Sequence, residues 1–202
     1  MLVLENRRKK NTKIASYLVF EEIDGFALPY KGYKEVILGN KTPDDIMGSS
    51  ALQAVLVSLI HGYLFSQIDR KNYILATNES GLHINKGTNL SNDIAIFRKL
   101  RHPIKDQYFD VAPIIAIEVD TKVDLSDTPY HTDTDYIISK SKKLLDFGAE
   151  KVVWVLTKEK KIVISALEGP WTIVDFDHDI LTVSYTHLRA HETVLDLVCR
   201  LL

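Results

Sequence analysis

The chain has 202 residues, 46% hydrophobic and 26% charged, the mix of an ordinary globular fold of one domain with room for an extension. A net charge of −2 excludes a protein that holds nucleic acid through overall basicity, so any such contact has to come from a local patch. One cysteine, Cys199, excludes a disulfide framework, and no apolar run approaches the roughly 18 residues of a membrane helix. Met1-Leu2-Val3-Leu4 runs directly into Glu5 and Arg7-Arg8-Lys9-Lys10, unlike a signal peptide, so a cytoplasmic location is expected.

Residues 1–13 read as a flexible basic arm, its Arg7–Lys10 run with Lys13 more a solvated segment than a phosphate site. The domain is expected over 14–182. Tyr17–Ile23 and Phe26–Tyr30 flank Asp24-Gly25, a two-residue hairpin signal, and a further strand is expected over Tyr33–Leu38. Thr42-Pro43-Asp44-Asp45 is a helix start, with a capping hydroxyl, a proline at the first helical position and acids in the first turn. The main first helix is expected from about Ser50 to Phe65, with an apolar stripe of Leu52, Val55, Leu56, Leu59, Ile60 and Tyr63.

Short strands Tyr73–Ala76 and Leu82–Asn85 follow, joined through Asn78-Glu79-Ser80-Gly81. Then come a strand at Asn92–Phe97 and a loop over His102–Asp110. Ala112–Val119 is nearly all apolar, as suits a central strand buried on both faces. A second helix runs from about Thr134 to Phe147 and ends before Gly148, a good cap residue. Val152–Thr157 and Ile162–Leu167 form a hairpin around Lys158-Glu159-Lys160-Lys161, and Trp171–Phe176 with Ile180–Thr182 finish the sheet. His131–Asp135 and Asp175–Asp179 look like ligand clusters, but both fall at element ends rich in turn formers and read as a helix start and a turn.

Residues 183–202, VSYTHLRAHETVLDLVCRLL, carry His187, His191, Glu192 and Cys199, which mimic a metal-binding helix. The string instead resembles the in-frame translation of a transposase-type sequencing-library adapter: one fixed part gives Val183–Glu192, a variable index spans Thr193–Asp196, and the other fixed end gives Leu197–Leu202. It is read as a non-native tail and excluded from the fold.

Three charges stand where apolar residues would be expected. Asp93 opens the strand Asn92-Asp93-Ile94-Ala95-Ile96, on the face of Ala95 and Phe97. Glu118 ends Ile114-Ile115-Ala116-Ile117-Glu118, and alternation puts Ile114, Ala116, Glu118, Asp120 and Lys122 on one face. Carboxylates gathered at one place repel each other, and a divalent cation removes that cost; hard oxygen donors favour Mg²⁺ or Mn²⁺. The third is Lys140, which shares the inward stripe of the second helix with Ile137, Leu144 and Phe147 and so needs a partner, which carboxylates at the sheet end would supply. Gln53 lies on the inward face of the first helix with Val57, Ile60 and Leu64, where it could reach the same place.

The segments Asn92–Phe97, Ala112–Val119, Lys140–Leu144 and Gly148–Leu156, with the Asp24-Gly25 hairpin and the Leu52-Gln53 helix, resemble the Uma-two family of restriction-endonuclease-like proteins, within the PD-(D/E)XK nuclease superfamily. The likeness covers roughly residues 17–170. It implies an α/β fold of the α+β kind, a mixed-sheet core with flanking helices and an N-terminal β-hairpin, and a divalent metal at the paired carboxylates. Asp93 matches the motif's aspartate and Glu118 its second acid. Asn92 stands where a proline is usual, and Asp120 where the general motif has its lysine. The resemblance places the lysine function at Lys140, with Lys122 as the alternative; Lys122 by itself reads as an exposed loop residue, because Val123–Asp127 looks like chain leaving the sheet.

What this implies is Mg²⁺- or Mn²⁺-dependent hydrolysis of nucleic-acid phosphodiesters, DNA first. Asp93, Glu118 and Asp120 would be the metal ligands, and Lys140, Lys122 and Gln53 the supporting groups. No membrane partner is expected, and a homodimer is left open. The rival reading is a binding or regulatory module on the same fold with a site too altered for turnover, favoured by Asp120 in place of lysine.

Overall fold

The computed structural model describes residues 14–176. The basic arm, the strand expected at Ile180–Thr182, most of the Asp175–Asp179 turn and the 183–202 tail lie outside the described residues. Where the chain becomes describable it makes a tight hairpin, β1 (Val19–Ile23) and β2 (Phe26–Pro29). Asp24 and Gly25 both take the left-handed backbone (φ 52° and 80°) that a twisted two-residue hairpin turn requires. Two short helices, α1 (Tyr33–Ile37) and α2 (Asp44–Met47), lead to the long helix α3 (Ala51–Gln67). Ser50 caps α3 by accepting from Gln53 N at 3.2 Å.

A long antiparallel pair follows, β3 (Tyr73–Asn85) and β4 (Thr88–Arg98), and then β5 (Ile115–Val119). Helix α4 (Asp133–Phe147) connects β5 to its parallel neighbour β6 (Lys151–Leu156), and β7 (Lys161–Ala166) and β8 (Thr172–Asp175) complete an eight-stranded mixed sheet. Thr132 and Asp135 form a reciprocal capping box at the start of α4, as the acids and hydroxyls there suggested, and Gly148 ends it. Strand alternation divides the core. Ile94, Ile96, Ile115, Ile117 and Val119 pack with Leu56, Ile60 and Leu64 of α3, whereas Ala95, Phe97 and Ala116 pack with Tyr136, Ile137 and Leu144 of α4. Among the described residues no helix is long and apolar enough to cross a membrane.

The register at β4 determines everything about the site. Asn89 pairs with both His83 of β3 and Glu22 of β1, and Ile94 pairs with both Thr77 of β3 and Ile117 of β5. Strands β1 and β5 therefore share the edge of β4 that faces away from β3. The edge is open between them, over Leu90–Asp93.

Three expectations change. Tyr33–Leu38 is a helical turn: Gly32 enters it with φ 87°, Leu38 N bonds Lys34 O at 2.9 Å, and Ile37 and Leu38 stay 61% and 69% exposed. Only Tyr33 is buried there, so the apolar run had no sheet to join. The two short strands at 73–85 are one strand, bulged where Asn78 and Glu79 take positive φ (64° and 55°). The buried stripe of α3 is Gln53, Leu56, Ile60 and Leu64, with Leu52 and Val55 39% and 49% exposed. Residues 51–67 contain no charged side chain, so the helix is apolar nearly all round and periodicity could not choose its face.

That choice of face is measurable. Leu56→Ala should cost about 3 kcal/mol by urea unfolding, the scale of a buried leucine truncation, and Val55→Ala under about 0.5 kcal/mol. Equal losses would mean that α3 is rotated.

Candidate active site

At the open edge of β4, backbone groups that would pair with a neighbouring strand meet side chains instead. Ser91 N donates to Glu21 Oε1 at 2.9 Å, and Ser91 O accepts from Lys140 Nζ at 2.7 Å. Asp93 and Glu118 lie one step beyond the last ladder pair, Ile94 with Ile117, and by alternation both face α4. Asp93 replaces the missing ladder bond: its Oδ2 accepts from Val119 N at 2.8 Å.

Lys140 rises from mid-helix into this gap and is 1% exposed. Its ammonium donates to Glu21 Oε1 at 2.6 Å and lies 3.1 Å from Glu118 Oε1. The contact with Glu118 is one of charge without hydrogen-bond alignment, since that oxygen is buried with no hydrogen-bond partner. Tyr136 OH donates to Glu21 Oε2 at 2.7 Å, and Trp154 lies under the ammonium, 5.5 Å from ring centre to Nζ. The carboxylate partner expected for Lys140 is thus present twice.

Gln53 reaches over the end of the sheet from α3. Its Nε2 donates to Val119 O at 2.7 Å and to Asp93 Oδ2 at 3.3 Å, as its place on the inward face allowed.

Asp120 is not with the others. Its φ of 57° ends the alternation of β5, and its carboxylate turns to β6, where Oδ1 accepts from Thr157 N at 2.8 Å and Oδ2 from Thr157 Oγ1 at 2.7 Å. The shared face ends at Glu118, and Asp120 clamps the turn to Thr157.

Lys122 departs from expectation in the opposite sense. The turn at Asp120 brings the chain back toward β2, where Tyr30 bridges to Val123. The Lys122 side chain is only 14% exposed, and its ammonium sits 2.9 Å from Asp93 Oδ1 and 2.6 Å from Glu79 Oε1. Lys122 by itself read as an exposed loop residue; the one left-handed residue at Asp120 redirects the chain after it and brings Lys122 inward.

Two acids were missed. Glu21 sits between Val19 and Ile23 on the inward face of β1 and is 2% exposed, the same carboxylate-among-apolar signal that marked Asp93. Glu79 is at the β3 bulge, which no pattern in its neighbours marks. Asn92, in the usual proline position, is fully buried with both amide atoms lacking a hydrogen-bond partner.

Burial pushes the Glu118 carboxyl up to about 8; Lys140 pulls against this, and Asp93 and Glu21 reinforce it. Burial also acts to lower Lys140, but the carboxylates of Glu118 and Glu21 outweigh it and hold the ammonium above its ordinary value. A charged lysine beside a proton-holding acid looks contradictory until the group is counted. Glu21, Asp93, Glu118 and Glu79 are four acids against the two ammonium groups of Lys122 and Lys140, so acids are in excess and a proton on Glu118 reduces the surplus. Lys122 is likewise raised, its burial outweighed by Asp93 and Glu79.

Among the described residues no three His, Cys, Asp or Glu side chains form a ready-made metal cage. The donors that do suit a hard cation are the Asp93 and Glu118 carboxylates: two oxygen groups side by side, one with a buried oxygen, Glu118 Oε1, that has no hydrogen-bond donor.

No protein-family model matches the chain, and no curated protein is significantly similar to it. Among solved structures, it resembles the crystal structure of a "putative nuclease belonging to DUF820" from Anabaena variabilis, with a TM-score of 0.60, 17% identity and 90% of each chain covered. DUF820 is the Uma2 family. The chain has the restriction-endonuclease-like fold. At this identity the likeness speaks for the fold alone, and the mixed α+β core with its N-terminal hairpin is as the resemblance implied.

The raised Glu118 predicts a pH dependence. Folded, the group keeps a proton to about 8 that an ordinary glutamate releases near 4.5. Its contribution to stability is fully present below the lower value, falls as pH rises between the two, and is flat above. The thermal midpoint of Glu118→Gln should therefore lose part of the parent's decline between about pH 5 and 8. Parallel curves would place the proton elsewhere.

Proposed function

We propose that the protein is a metal-dependent nuclease that hydrolyses phosphodiester bonds, with DNA as its first substrate class. The observation that carries this reading is the convergence of Asp93, Glu118 and Lys140 in a gap between two strands, each fixed by packing or hydrogen bonds from a different element. Mg²⁺ or Mn²⁺, held by Asp93 and Glu118, would supply Lewis-acid polarisation and a water of lowered pKa. Asp120 has no part in holding it.

The chain's own groups do the rest. Lys140 presents a positive charge at the carboxylate pair, where it can stabilise charge that develops on a phosphate oxygen. Glu21 and Tyr136 are positioning residues for Lys140, and Gln53 holds Asp93 against β5. An open groove of about 720 Å³ runs past Glu21 and Ser91, and Phe20, Phe26 and Tyr108 line it. Phe26 and Tyr108 are 53% and 58% exposed, which leaves aromatic surface in the groove for contact with bases.

Supercoiled and single-stranded DNA incubated with Mg²⁺ or Mn²⁺ should be cut by the full chain and spared when a chelator is added. Asp93→Asn and Glu118→Gln should each abolish cleavage while circular dichroism shows an intact fold. Lys140→Met should slow single-turnover cleavage about a hundredfold, the scale of one lost charge-stabilising group. Full activity in Asp93→Asn would overturn the assignment. The second reading, a DNA-binding or regulatory module without turnover, draws on the engagement of Asp120 with Thr157 and of Asp93 with Lys122; it requires DNA binding with no cleavage under any metal.

A further inference from the structure

Asp93 has one oxygen committed to the fold and one held by a cation of the protein's own. Oδ2 accepts from Val119 N and Gln53 Nε2, whereas Oδ1 faces Lys122 Nζ at 2.9 Å. Only Oδ1 is free of the scaffold, so a metal ion coming to Asp93 meets the ammonium of Lys122 first. The same ammonium lies 2.6 Å from Glu79 Oε1, closer than to Asp93, and Glu79 is itself at a bulge and 33% exposed. Lys122 has therefore a second carboxylate on which to remain when Asp93 is taken.

We propose that Lys122 is an internal competitor for the metal site: its ammonium occupies the cation's place at Asp93 and withdraws onto Glu79 when a divalent ion binds. This rests on the metal reading of Asp93 and Glu118 given above. The physical reason is repulsion. An ammonium and a divalent ion repel each other strongly when both lie on one carboxylate oxygen, and without either, Asp93 would be a nearly buried charge lacking a counter-ion at Oδ1. Lys122 supplies that counter-ion in the metal-free fold, and metal affinity is correspondingly weaker than the two carboxylates alone would give. Lys140 cannot serve in this way, because it is fully buried, donating to Glu21 and Ser91 O with Glu118 beside it.

Calorimetric titration of the full chain with Mn²⁺ tests this without reference to activity. Lys122→Met should tighten Mn²⁺ binding tenfold or more. Lys31→Met removes the same charge nearby, from a side chain that bonds Thr121 and touches no site carboxylate, and should change affinity less than twofold. Lys122→Arg keeps both charge and fold; its planar fork grips carboxylates better than an ammonium, so it should weaken Mn²⁺ binding several-fold. That variant also decides the matter if Lys122→Met does not fold. Unchanged affinity in both Lys122 variants, or an equal shift in Lys31→Met, overturns the proposal. If the parent binds Mn²⁺, Asp93→Asn does not, and the Lys122 variants match the parent, the metal site stands and only the competitor falls. Absence of binding in the parent and in Lys122→Met removes both.

Discussion

Burying a lysine without water costs several kcal/mol unless acceptors surround it, and Lys140 is the point in this molecule where that requirement organises its neighbours. Glu21 comes from the hairpin, Ser91 O from the open edge of β4, Glu118 from the end of β5 and Tyr136 from the preceding turn of α4. The hairpin, β4 and β5 are thereby tied to one ammonium on α4. The groups around it are also those left over where β1 and β5 part company on β4, so the lysine and the gap satisfy each other.

The gap itself follows from the register. Two strands cannot both pair with the same residues of one edge, and β1 and β5 divide that edge between them. The residues at the division have backbone groups with no strand to meet, which in a buried position have to be matched by side chains. Here the matching side chains are charged ones; burial above all raises Glu118, and the carboxylates of Glu118 and Glu21 keep Lys140 protonated. The charged cluster and the structural necessity are thus the same set of atoms. In such a site a substitution changes stability and chemistry together, so kinetics have to be read beside a stability measurement.

The two lysines play different parts although both touch the carboxylate pair. Lys140 is held from all sides and belongs to the core. Lys122 arrives on a returning loop, retains some exposure, and is shared between a core acid and a rim acid. The first is enclosed by the core and the second lies at its rim. Where the general motif has its lysine two residues after the acid, this chain has Asp120, which clamps the turn to Thr157 and thereby sends Lys122 back to the site.

Much of this was legible in the residues. Asp93, Glu118 and Lys140 announced themselves as charges on apolar faces, and Gln53 as a polar group on an inward helical stripe, because burial of a charge contradicts the pattern around it whatever the tertiary arrangement. The Asp24-Gly25 hairpin and the helix start at His131–Asp135 were equally local, since each depends on groups within a few positions of one another. The turn at Asp120, the return of Lys122, the recruitment of Glu21 and Glu79 and the buried face of α3 were decided only by the fold. A single positive φ is invisible to side-chain alternation, a helix apolar on every side offers no preferred face, and a salt bridge across 119 positions of chain, such as Glu21 with Lys140, exists only once β1 and α4 have docked on opposite sides of the same gap.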